Sequence, residues 1–218
     1  MSKNLFWLFV MGMVFSLGVS SCAEDTKVEN PYEDWRGCNE LYLDSIVNVA
    51  RKNLVTGDEK WNIFKNYQFE IGDQFVQFYE YDSVYVKYEI KHDEAYLKAH
   101  PEVCKPLYTD SVDVYYQGFL INGLRFDGNY TGKLNTNVHE PTRFVVSGLI
   151  PGMITALQEL YEGEKVELYI PYQLAYGAMG SDPYIPGYSV LKFELCIDKV
   201  KHPVGPDDRS RAAKDIQQ

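Results

Sequence analysis

Val112-Asp113-Val114-Tyr115-Tyr116-Gln117-Gly118-Phe119-Leu120-Ile121-Asn122-Gly123-Leu124-Arg125-Phe126-Asp127 is the stretch on which the fold reading turns. Val112, Val114 and Tyr116 alternate with Asp113, Tyr115 and Gln117, which is the period-two pattern of a strand with one buried face. Asn122-Gly123 tolerates the positive φ angles of a tight turn, so Phe119-Leu120 and Leu124 to Phe126 are read as the two arms of a hairpin.

The same alternation recurs outward from this hairpin. Val84, Val86, Tyr88 and Ile90 form an earlier strand, and Arg143 to Ser147, Val166 to Ile170 and Leu191 to Ile197 form later ones. His92 to Pro106 is polar and reads as a connection holding one short helical stretch. A helix begins at Pro151, which suits a first helical position. Met153, Leu157, Leu160 and Tyr161 make its apolar stripe, and Gly163 is its expected C′ residue. Pro171 to Gly187 is a long loop. One helix among antiparallel strands predicts an α+β fold, a twisted antiparallel β-sheet wrapped on one short α-helix. Upstream, Trp35, Cys38, Tyr42, Ile46 and Val49 predict a helix over about Glu33 to Asn53. It reads either as packed on its own domain or as an arm for a partner or a homodimer. Lys60 to Glu70 stays open between helix and strand. The expected division is therefore an N-terminal helical extension over 33–83, a domain over 84–200 and a frayed tail over 201–218.

Residues 1–21 read as a signal peptide: Lys3, then an apolar run from Leu5 to Val19 that is short for a membrane span. Val19-Ser20-Ser21-Cys22 resembles a bacterial lipobox, which predicts lipidation of Cys22 and a tether over 22–32. The membrane is then met through a lipid anchor only, and the body faces the periplasm or the cell surface. That compartment permits disulfides, but Cys38, Cys104 and Cys196 are an odd set without a CxxC. A Cys38–Cys104 bridge and three free, partly buried thiols both remain open. The net charge of −10 repels phosphate backbones, so no nucleic-acid partner is expected. Hydrophobic residues at 45% and charged residues at 24% exclude wholesale disorder. With no GxGxxG, P-loop, HExxH or GxSxG, no metal or cofactor is expected, and the four histidines read as surface residues.

Taken in order, several short motifs resemble the FK506-binding-protein (FKBP) type of peptidyl-prolyl isomerase. They are Val114-Tyr115-Tyr116-Gln117-Gly118, Asn122-Gly123, Phe126-Asp127, Leu149-Ile150-Pro151-Gly152-Met153, Gly163-Glu164-Lys165-Val166, Pro171 to Gly177 with Ala175-Tyr176-Gly177, Ile185-Pro186 and Leu191 to Leu195. The resemblance runs over roughly 84–200. It implies proline-containing polypeptides as substrates and a cup made by Tyr116, Phe126, Phe144, Leu149, Ile150, Tyr176 and Phe193, with Met153 as its floor and Ile185 as a further substrate-binding residue. It implies that Tyr176 and the Ile150 N–H donate to substrate carbonyls and that Asp127 accepts from Tyr116. Met153 stands where many relatives carry Trp, and Thr142 where an aromatic often lines the cup. Two functions fit: isomerisation of X-Pro bonds in exported or envelope proteins, or a chaperone-like or scaffolding module that grips Pro or apolar segments without turnover.

Overall fold

Seven strands form one antiparallel sheet in the computed structural model, which describes residues 33–57, 59–66 and 82–203. The expected signal peptide, the tether with Cys22, residues 67–81 and the tail beyond 203 lie outside the described residues. The strands are β1 (Trp61–Lys65), β2 (Ser83–Ile90), β3 (Ser111–Phe119), β4 (Arg125–Gly128), β5 (Thr142–Val145), β6 (Lys165–Ile170) and β7 (Leu191–Lys201). Their order is β1-β2-β6-β7-β3-β4, and β5 pairs with the first half of β3 where β4 pairs with its end. Among the described residues three α-helices accompany them: α1 (Trp35–Thr56), α2 (Glu94–Ala99) and α3 (Pro151–Leu157).

Alternation places Val84, Val114, Leu168, Phe193 and Leu195 on one face of the sheet, where α3 packs through Met153, Ile154 and Leu157. The close approach of α3 depends on Gly152, because a Cβ there would strike the Cγ2 of Ile170. The helix is shorter than its apolar stripe predicts. After Leu157 the hydrogen bonds tighten to three-residue spans, Glu159 N–H to Ala156 O at 3.0 Å and Leu160 N–H to Leu157 O at 3.3 Å. Leu160 stays buried without continuing the α-helix.

In β7 the core positions Leu191 to Ile197 are odd-numbered, whereas Val200, also packed on the core, is even-numbered. A bulge reconciles them. Asp113 pairs with Lys199 but Val114 pairs with Ile197, so Asp198 is the extra residue.

The other face is covered by α1. Leu43, Val47 and Ala50 cluster with Trp61, Tyr85, Tyr169 and Val190, and the Trp61 and Tyr169 rings stack at 6.1 Å. The helix is rotated by one residue from the predicted face. Trp35, Asn39, Leu43, Val47 and Ala50 are buried, whereas Cys38 and Val49 are exposed. The apolar count alone misses this face because it includes a polar residue that is hydrogen-bonded at both ends. Fully buried Asn39 donates to Trp35 O and accepts the Val190 N–H, each at 2.7 Å. Trp35 adds a bond from Nε1 to Ser189 Oγ at 2.9 Å. The helix ends at Gly57, whose φ of 75° lets its N–H return to Asn53 O and Leu54 O.

The ambiguous Lys60–Glu70 stretch is strand over Trp61–Lys65, so the upstream segment is not purely helical. The expected boundary at 84 cuts β2 after its first residue, Ser83, and separates it from β1, to which it is hydrogen-bonded from Trp61↔Lys87 to Lys65↔Ser83. One compact unit spans Asp34–Gln218. Cys38, Cys104 and Cys196 are all free.

Asn39→Ala orphans the buried Val190 N–H and is expected to lower stability by about 1–3 kcal/mol in urea unfolding. A variant as stable as the wild type would show that this amide does not hold α1 to the loop before β7.

Candidate active site

The cavity of about 380 Å³ opens at the β3–β4–β5 end of the sheet. Its floor is sheet: Val114 and Tyr116 from β3, Phe193 and Leu195 from β7. One wall is β4 with Phe126 and Asp127, and Phe144 of β5 also lines the cavity. The 3-10 turn Val146–Gly148 leads to Leu149 and Ile150, and Met153 and Leu157 come from α3. Tyr176 reaches in from the loop after β6 and is 40% exposed.

Phe126 is aimed by the backbone. Gly118 pairs with Asp127 but Phe119 pairs with Arg125, so Phe126 is the extra residue of a bulge. A bulge re-aims its side chain and adds local twist. The ring then lies over Gly118: a Cβ there would stand 2.6 Å from Phe126 Cζ and 2.9 Å from Phe193 Cε1. Phe126 meets Phe193 edge to face at 5.6 Å, and Tyr116 meets Phe144 likewise at 5.5 Å. These are the favoured geometries of ring quadrupoles, so the walls support one another.

The polar content is small and placed at one side. Tyr116 Oη donates to Asp127 Oδ2 at 3.0 Å, and Asp127 Oδ1 accepts the Gly128 N–H at 2.7 Å. Burial, then the charge of Asp127, pushes the Tyr116 hydroxyl up to about 12. Burial and the same carboxylate raise Tyr176. Both phenols therefore remain O–H donors at neutral pH. Among the described residues the lining holds no thiol, imidazole or amine. What it offers is apolar enclosure with a few oriented donors.

Every residue predicted for the site lines this cavity except Ile185. That residue is 6% exposed in the main core. Mutual hydrogen bonds with Ser181 hold its backbone, Ser181 N–H to Ile185 O at 2.7 Å and Ile185 N–H to Ser181 O at 2.9 Å. Thr142 does not line the cavity either; its Oγ1 accepts from Asn129 Nδ2 at 3.1 Å, and Asn129 also bonds the Tyr116 N–H and Val114 O. Val114, Leu195, Leu157 and Gly148 were not predicted. Val114 and Leu195 lie two positions from Tyr116 and Phe193, so strand alternation carried the signal.

Residues 104–197 match the family described as FKBP-type peptidyl-prolyl cis-trans isomerase. The FKBP-type 22 kDa peptidyl-prolyl cis-trans isomerase of Escherichia coli (strain K12) is 44% identical over 90 residues, 41% of this chain and 41% of the relative. The FKBP-type peptidyl-prolyl cis-trans isomerase FkpA of the same strain is 41% identical over 96 residues, 44% of this chain and 33% of the relative. This chain thus spans less than half the length of either. The crystal structure of FkpA from Escherichia coli aligns over 92% of this chain and 83% of its own, with a TM-score of 0.45 and 25% identity.

Gly118→Ala forces a methyl into Phe126 and Phe193. The expected result is a loss of about 1–3 kcal/mol in stability, together with weaker binding of an apolar fluorescent probe to the folded variant. Unchanged probe affinity would mean that the Phe126 wall tolerates displacement.

Proposed function

We propose that this chain, whose residues 104–197 match the FKBP-type isomerases, catalyses cis-trans isomerisation of X-Pro bonds in polypeptides. One observation carries the reading: an apolar cavity ringed by aromatics, in which the Asp127 carboxylate is already engaged by Tyr116 and Gly128. Rotation about the X-Pro bond meets a barrier of roughly 18–20 kcal/mol set by amide resonance. At the top of the barrier the twisted amide has lost conjugation and is less polar than in the ground state. A dry apolar enclosure therefore makes twisting less costly than it is in water, which is what catalysis requires.

In this reading Phe126, Phe144, Phe193, Leu149 and Met153 hold the prolyl ring. Tyr176 and the backbone N–H of Ile150 donate to the flanking carbonyls. Tyr116 contributes its ring, and Asp127 fixes that ring by accepting its hydroxyl. Met153, which lines the cavity from α3, is softer than a Trp and bears on the preference for the residue before Pro.

The lipobox-like tetrad supports attachment at Cys22 and action on exported or envelope proteins. Among the described residues no helix is long and apolar enough to cross a membrane. Cys22→Ala is expected to release the protein from the membrane fraction or leave it unprocessed; unchanged mass and fractionation would remove the anchor from the reading.

The test of turnover is kcat/KM on an X-Pro peptide, with folding checked by circular dichroism. Tyr176→Phe removes one neutral hydrogen bond, worth about 0.5–1.5 kcal/mol or roughly two- to tenfold. Phe126→Ala admits water and is expected to cost more. A wild type that binds Pro peptides without turnover would turn the assignment to a binding module, and a folded, fully active Phe126→Ala would move the site elsewhere.

A further inference from the structure

Away from the cavity, three chemically reactive side chains meet where β3 begins and β7 ends. Ser111 pairs with Lys201, so the residues just outside that rung, Asp110 and His202, are neighbours. His202 Nδ1 lies 2.7 Å from Asp110 Oδ2. Its other ring nitrogen, Nε2, faces Cys104 Sγ at 3.6 Å. Cys104 is fixed in turn by its carbonyl, which accepts the Glu162 N–H at 3.1 Å. None of the three lines the cavity of the proposed isomerase.

The arrangement orders itself. Asp110 is fully buried; its Oδ2 accepts the Leu107 N–H at 2.8 Å as well as facing His202, while its Oδ1 has no hydrogen-bond partner. An ionised carboxylate in such a place is stabilised by the imidazole it faces and holds the Nδ1–H tautomer. That leaves the Nε2 lone pair directed at the thiol. A nucleophile within reach of a base, with the base oriented by a third group, is the general pattern of an activated thiol. His202 keeps 55% of its side chain exposed and Cys104 is partly exposed, so a small reagent has access.

We propose that Cys104, His202 and Asp110 form a second reactive site, at which Cys104 undergoes thiol–disulfide exchange with low-molecular-weight disulfides. The Cys104 proton passes to His202 Nε2, and the thiolate attacks one sulfur of the disulfide R–S–S–R. The new Cys104–SR bond forms as the S–S bond of the reagent breaks. The leaving RS⁻ takes the proton from His202 and departs as RSH. The reagent is reduced to one thiol and the protein is oxidised to a mixed disulfide, so electrons and atoms balance. Cys104 acts as the nucleophile, His202 as the base and Asp110 as a positioning residue.

Cys104 is not a standing thiolate, and its reactivity rests on passing its proton to His202 as the attack proceeds. Burial, with Glu162 and Asp110 nearby, raises the Cys104 thiol above its ordinary range. On accessibility and charge alone, the exposed Cys38 would react first.

The test is incubation of the full chain with oxidised glutathione at neutral pH, with mixed-disulfide formation at Cys38, Cys104 and Cys196 followed by peptide mass mapping. An ordinary thiol is only a few per cent thiolate at pH 7, so an effective base raises the rate by about tenfold after allowing for lower nucleophilicity. Cys104 is expected to react at least about tenfold faster than Cys38. H202Q removes the base while keeping an amide N–H that can face Asp110; it is expected to slow Cys104 by about tenfold, leaving the Cys38 rate and the prolyl-isomerase rate unchanged. D110N is expected to slow Cys104 in the same direction while Cys38 is unaffected. Cys38 reacting ahead of Cys104, or a Cys104 rate unchanged in H202Q, would overturn the proposal. Isomerase activity is read separately, so its absence would not bear on the thiol site.

Discussion

The antiparallel ladder between β3 and β7 is the constraint from which the rest follows. It runs from Ser111↔Lys201 to Phe119↔Lys192, with one bulge at Asp198. Its middle places Val114 and Tyr116 beside Leu195 and Phe193, the floor of the cavity. Its outer end sets Asp110 against His202. A slip of one residue would turn the floor side chains to the opposite face and separate the carboxylate from the imidazole. Charge reinforces the register there. Asp113 accepts from Arg143 of β5 at 2.7 and 3.0 Å and lies 2.9 Å from Lys201 of β7, so its carboxyl is held down at about 2.

The second organising element is α1, which does more than cover the sheet. Its first two turns hold the loop before β7: Trp35 on Ser189, Asn39 on Val190, and the Arg36 guanidinium 4.7 Å from the Tyr188 ring. Tyr188 sits at a φ of 61°, a conformation that side chains with a Cβ rarely adopt. Its ring packs edge-on to Tyr172, in the same loop region as Tyr176. The upstream helix thereby helps to position a segment that contributes to the cavity, although no residue of α1 lines it. This gives a physical reason for the helix and the sheet to share one compact unit.

Within the cavity the economy of polar groups is informative. In the proposed isomerisation, water there would stabilise the polar planar amide, and the walls are instead lined with rings that brace one another. The carboxylate that intrudes is neutralised in effect by two donors, Tyr116 Oη and the Gly128 N–H. Asp127 is thereby occupied in fixing a ring, which suits the proposed isomerisation, a reaction that moves no proton. The thiol–imidazole–carboxylate cluster has the opposite character, with a base left free to take a proton.

Much of this was legible in the chain alone. Period-two alternation determined the strands around Val84, Val114, Val166 and Phe193, and Asn122-Gly123 determined the hairpin, because both rest on the geometry of neighbouring residues. Motif order then gathered Tyr116, Phe126, Asp127 and Tyr176 into one group. Tertiary structure decided whatever depended on partners distant in sequence. It turned α1 by one residue because Asn39 is satisfied by a backbone N–H at Val190, and it made Trp61–Lys65 a strand because β2 offers an open edge. It withdrew Ile185 into the core and brought Cys104 within 3.6 Å of His202 across 98 positions. Local patterns record which face of an element is apolar; which groups satisfy a buried donor or meet across a ladder is fixed only when the register closes.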